Sequence, residues 1–87
     1  MMPTRETVEH IRKLYPPGTE IELIKSNDPI HRLPVGLKGT VSHVDDAGTI
    51  HMNWENGSSL GLIVWTPPGR EHERDVFRII NKKRVEV

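Results

Sequence analysis

Thr49-Ile-His-Met-Asn-Trp-Glu-Asn-Gly-Ser-Ser-Leu-Gly-Leu-Ile63 reads as an alternating strand, a turn ending in glycine, and a second apolar strand. Ile50, Met52 and Trp54 share one face of the first strand. A two-residue turn at Asn56-Gly57 would set Met52 opposite Gly61 and turn Leu60 and Leu62 to the other face. A three-residue loop, Glu55-Asn56-Gly57 with Gly57 left-handed, pairs Met52 with Leu60 and Ile50 with Leu62. That register gathers all five apolar residues on one face and is the one expected. The hairpin carries no evident chemistry, so it speaks to architecture rather than activity.

The same reasoning extends upstream. A three-residue loop at Asp46-Ala47-Gly48 pairs Val44 with Ile50. Val41 is then out of phase, which predicts a bulge near Ser42-His43. The second strand runs over Gly36–Val44, and the first over Thr19–Lys25, with Ile21 and Leu23 on one face and Glu20, Glu22 and Ile24 on the other. Asn27-Asp28-Pro29 and Leu33-Pro34 mark a long loop between them. Val76–Ile80 is the last strong strand. Val85-Glu86-Val87 offers a further short edge. Thr4 to Leu14 is the only helical segment: Thr4 caps it, Val8, Ile11 and Leu14 or Tyr15 form a narrow stripe, and Pro16-Pro17 ends it.

The 87 residues make one domain, an N-terminal helical segment (1–15) on a five-stranded barrel (16–87). Such a core is too small to hold a cofactor as well. Seven glycines and seven prolines fall between the apolar runs, as short strands joined by tight turns require. Net charge is zero, against a phosphate-gripping protein. The absence of cysteine removes disulfides, thiolate metal sites and cysteine nucleophiles. No apolar run approaches the roughly 20 residues of a membrane span, and the first residues lack a secretory signal. A cytoplasmic protein is expected.

Five short strands, a long first loop and consecutive tight hairpins resemble an SH3-like small barrel, mainly β with a short N-terminal helix. Pro34-Val-Gly-Leu-Lys-Gly-Thr-Val41 with Asp45-Asp-Ala-Gly48 resembles the entry of KOW-type barrels, and Asn53-Trp-Glu-Asn-Gly-Ser-Ser-Leu60 the central hairpin of Mib/Herc2-type domains. The combination most resembles an uncharacterised family of short bacterial proteins common in phage and mobile elements, matching from about Tyr15 to Ile80. The connection Trp65–Asp75 looks longer than is usual there. The resemblance implies a fold and defines no catalytic residues. By analogy with its setting, it points to a host or phage complex as partner, including a defence system that the protein inhibits.

Chemistry finds little support in the residues. His43 and His51 approach each other across the second hairpin, half of a zinc site without further ligands at the required spacing. Asp45-Asp46 reads as the start of a turn, and Glu71-His72-Glu73 as a solvated loop. No nucleophile elbow or phosphate loop is present. No enzyme activity, cofactor or metal is expected. Trp54 and Phe77 belong to the core. Tyr15 and Trp65 lie at element ends, and exposed aromatics beside proline-containing loops are how such barrels hold extended peptides. Tyr15, Pro29, His31 and Trp65 are therefore the candidate partner-binding residues, with protein as the expected partner, by strand addition or groove contact. The contrasting expectation is nucleic-acid binding by a basic strip of Lys38, Arg78, Lys82, Lys83 and Arg84, as the KOW resemblance implies.

Overall fold

The computed structural model describes residues 2–26 and 33–83. Helix α1 (Arg5–Leu14) opens on Thr4, whose Oγ1 accepts the Thr7 amide at 3.2 Å, with Glu6 suiting the positive end of the helix dipole. It ends at Tyr15, whose amide still reaches Ile11 O, and Pro16 prevents another turn. Val8 and Ile11 are the buried stripe; Leu14 is exposed, and Tyr15 carries the stripe onward.

Five strands follow: β1 (Glu20–Lys25), β2 (Lys38–Val44), β3 (Thr49–Trp54), β4 (Leu62–Ile63) and β5 (Val76–Asn81). They form one antiparallel sheet in the order β4-β3-β2-β1-β5. Its two edges meet where the Asp75 amide donates to Ile63 O (2.9 Å) and Ile63 N–H donates to Asp75 Oδ2 (2.8 Å). The sheet thereby closes into a small barrel. Ile21, Leu23, Val41, Val44, Ile50, Met52, Trp54 and Leu62 fill it, with α1 contributing Ile11. The expected short edge at Val85–Val87 lies outside the described residues.

The hairpin registers follow the apolar phase. Val44 opposes Ile50 and Ile50 opposes Leu62, and Gly48 and Gly57 both take positive φ (80° and 83°). Ser42 is the extra residue that lets Val41 pair with Met52 and His43 with His51. One detail differs. Leu60 does not ladder with Met52, and β4 shrinks to two residues. Side chains have taken the backbone groups of this stretch: Ser58 N–H donates to Asn56 Oδ1, Leu60 N–H to Ser58 Oγ, and Trp54 Nε1–H to Leu60 O at 2.7 Å. Likewise, Gly36 is part of a turn with φ 85°, so β2 begins at Lys38.

The turn after β2 is held from both sides. Asp45 Oδ1 accepts the amides of Ala47 and Thr49, and Oδ2 lies 2.7 Å from His51 Nε2. From the helix, Arg12 donates to Val44 O and to Asp46 Oδ1. Burial opposes ionisation of Asp45, but His51 and the two amides together outweigh it and hold the carboxyl below its ordinary 3.8. Asp45→Ala is expected to cost about 1 kcal/mol at neutral pH. The folded carboxyl titrates below the unfolded one, so its stabilisation is complete above pH 3.8 and fades as the pH falls through the folded value. Unfolding of both proteins across pH 2–7 checks this; a gap between them that stays constant to the acid end would refute it.

Candidate functional site

The segment between β4 and β5 is the longest irregular stretch among the described residues, yet it is internally organised. Pro67-Pro68-Gly69 turns, with Arg70 N–H on Pro67 O, and a single 3-10 turn covers Glu71–Glu73. Arg70 grips Glu73 through two guanidinium nitrogens, and this hydrogen-bonded cation lowers the Glu73 pKa. Arg74 Nε donates to the buried Thr66 hydroxyl at 3.0 Å. Asp75 is fixed on Ile63.

Between this segment and the β3–β4 hairpin runs a groove of about 510 Å³. Trp65, Leu60, Ile63 and Pro67 supply its apolar wall; Ser26, Thr49 and Thr66 supply hydroxyls; and Arg70, Glu73 and Asp75 stand at its rim. Gly61 also lines it, and there the chain passes so close to β3 that a Cβ would come within 2.8 Å of Thr49 Cγ2. Trp65 is half-buried, with part of its ring on the core. The rim charges are already satisfied within the chain, so the part of the groove without a partner is its apolar wall.

Tyr15 lies in a neighbouring depression with Val64, Val76 and Phe77, and the two depressions meet at Asp75. Its ring stands edge-on to Phe77 (centroids 5.5 Å, 63°), and burial pushes the phenol pKa up. Tyr15 and Trp65 therefore flank the same strand end without sharing one groove. Pro29 and His31 lie outside the described residues; Ser26, the last residue before that stretch, lines the Trp65 groove. Phe77 is partly buried against the core rather than inside it.

Lys38 and Arg78 stand on either side of Glu22 in the sheet, and Arg78 is ion-paired to it. Lys82 and Lys83 are exposed, with the Lys83 amide on Thr19 Oγ1 and its stem against Gly18. Arg84 lies outside the described residues. His43 and His51 stack in parallel (4.4 Å, 5°), as their register requires. No group of three or more His, Asp or Glu among the described residues is placed to hold a metal ion. Nor is any described helix long and apolar enough to cross a membrane. Sequence reasoning missed the Arg12 clamp and the Asp75 closure, because neither residue stands in a pattern that names its distant partner.

Residues 4–69, about three quarters of the chain, match the model of a family described as a domain of unknown function (DUF4314). The chain belongs to that family. The matched stretch differs from the expected Tyr15–Ile80: it takes in α1 and stops at Gly69, before β5. No curated protein and no solved structure matches the chain.

Proposed function

We propose that this DUF4314 member is a non-enzymatic SH3-like binding module of the cytoplasm that holds an extended protein segment in the groove beside Trp65. The observation that carries the reading is the groove's balance of chemistry. Arg70 with Glu73, Arg74 with Thr66 and Asp75 with Ile63 are internally engaged, which leaves Trp65, Leu60, Ile63 and Pro67 as surface awaiting a partner. An apolar wall with a few hydroxyls suits an aliphatic or proline-containing segment. Groove contact is favoured over strand addition because both sheet edges are blunted. Ile63 at the β4 edge has its N–H and C=O taken by Asp75, and β5 is bulged at Ile80. The phage or host complex suggested by analogy fits this reading as a partner class, with inhibition of a defence system as one such role.

The test is selection from a displayed library of linear peptides. Wild-type protein should enrich apolar sequences that stay bound in high salt, and Trp65→Ala should weaken them at least about tenfold, a loss near 1.4 kcal/mol. Ile63→Ser at the exposed rim provides a second variant in case Trp65→Ala loosens the fold. Enrichment that ignores both variants would refute the groove. Salt-sensitive binding to DNA or RNA, lost in Lys82→Glu/Lys83→Glu, would replace the reading with the nucleic-acid one.

A further inference from the structure

β1 and β5 pair through Ile21–Ile79, Glu22–Arg78 and Leu23–Phe77, but the register shifts at both ends of this run. The extra residue is Ile24 on β1 at one end and Ile80 on β5 at the other. Both are exposed, at 43% and 44%. A bulge re-aims the residue that it frees from the ladder. Ile80 is thereby presented at the rim of a second depression of about 350 Å³ on the outer side of the sheet. Glu20, Lys38, Thr40, Asn53 and Glu55 line it too, with Gly39 and Trp54 completing its wall. This depression shares no lining residue with the Trp65 groove.

Charge decides what fits there. Neither Glu20 nor Glu55 forms an ion pair with any described residue, in contrast to Glu22, which is held by Arg78. Lys38, which lines the same depression, is exposed and likewise forms no ion pair with any described residue. The depression thus carries an apolar knob, Ile80, with the two carboxylates and the ammonium of Lys38, none of them ion-paired among the described residues. A surface bearing both halves of a complementary pair is suited to meeting itself about a two-fold axis. The net charge of zero removes any long-range repulsion between copies.

We propose that two copies of this chain associate through the outer face around Ile80, with Lys38 of each copy against Glu20 and Glu55 of the other. This interface is independent of the peptide groove, so the failure of either leaves the other standing.

Sedimentation velocity of the full chain tests it. Wild type should pass from monomer to dimer with rising concentration, and added salt should weaken the association. Glu20→Lys/Glu55→Lys and Lys38→Glu should each weaken it at least about tenfold. Mixed in equal amounts, those two variants should recover a dimer, because every charge again meets its opposite. Ile80→Ser should weaken association irrespective of salt. All these positions are exposed, and thermal unfolding of each variant establishes that it is folded. Should a reversal unfold the chain, Glu20→Gln/Glu55→Gln and Lys38→Gln replace it, with the same weakening expected. A wild type that stays monomeric to about 1 mM would overturn the proposal, as would folded reversals that dimerise unchanged or a mixture that stays monomeric.

Discussion

Trp54→Ala is expected to remove about 3–5 kcal/mol of stability, the largest effect of any single side chain in the barrel. Trp54 is 4% exposed and lies against Gly39 across the β2–β3 pair. Truncation would leave a cavity where the indole was. It would also leave the Leu60 carbonyl without the indole donor at 2.7 Å, and that bond holds the irregular stretch after Gly57 against the barrel. Domains of this size have total stabilities of about 5–15 kcal/mol, so the variant should be largely unfolded at moderate denaturant. Urea unfolding followed by far-ultraviolet circular dichroism measures the loss. Trp54→Phe separates its two parts, since it retains much of the volume and none of the hydrogen bond. A Trp54→Ala loss below about 1.5 kcal/mol would mean that the ring is not a core element.

The complementary experiment adds a methyl group instead of removing a ring. In Gly39→Ala the new Cβ would lie 2.6 Å from Trp54 Cε3 and 3.0 Å from Asn53 O. The first neighbour is a rigid ring packed in the core, and the second is backbone in the facing strand. Neither can give without shifting β3. Overpacking of this kind costs about 3 kcal/mol. Gly57→Ala is the natural control. It carries the strain of φ +83° but meets nothing within 4 Å, so it should cost only about 1 kcal/mol. Equal losses at the two glycines would show that backbone conformation, and not the approach of Trp54, governs Gly39.

These two residues also show what could be read in advance. The phase of Ile50, Met52, Trp54 and Leu62 fixes which side of the hairpin is buried, and the bulge at Ser42 follows from Val41 and Val44 alone. Periodicity is local, and so were the successes. The pairing of β1 with β5 joins residues more than fifty positions apart, and nothing in Ile24 or Ile80 marks them as the residues that drop out of register. Both look like ordinary strand isoleucines. Leu60 misled for a related reason: its phase is correct, but side-chain hydrogen bonds from its neighbours compete with the ladder. Of the candidate site, Trp65 was legible as an aromatic at an element end. Its groove was not, because the wall is made by a segment whose ends are fastened by Asp75, a residue with no sequence mark of that role.

That fastening has a wider consequence. Once Ile63 and Asp75 are joined by two hydrogen bonds, the chain leaves and re-enters the barrel at one fixed point. Closing a flexible excursion from such a point costs only about 0.6 kcal/mol more for each doubling of its length. Residues 67–73 can therefore lengthen, shorten or be exchanged while the rest of the scaffold keeps its shape, whereas Val64, Trp65 and Thr66 are held against the core. The stretch that matches the family model ends at Gly69, inside this excursion. Variation of length and sequence is therefore expected to concentrate at this one place, much as a tool handle accepts different heads.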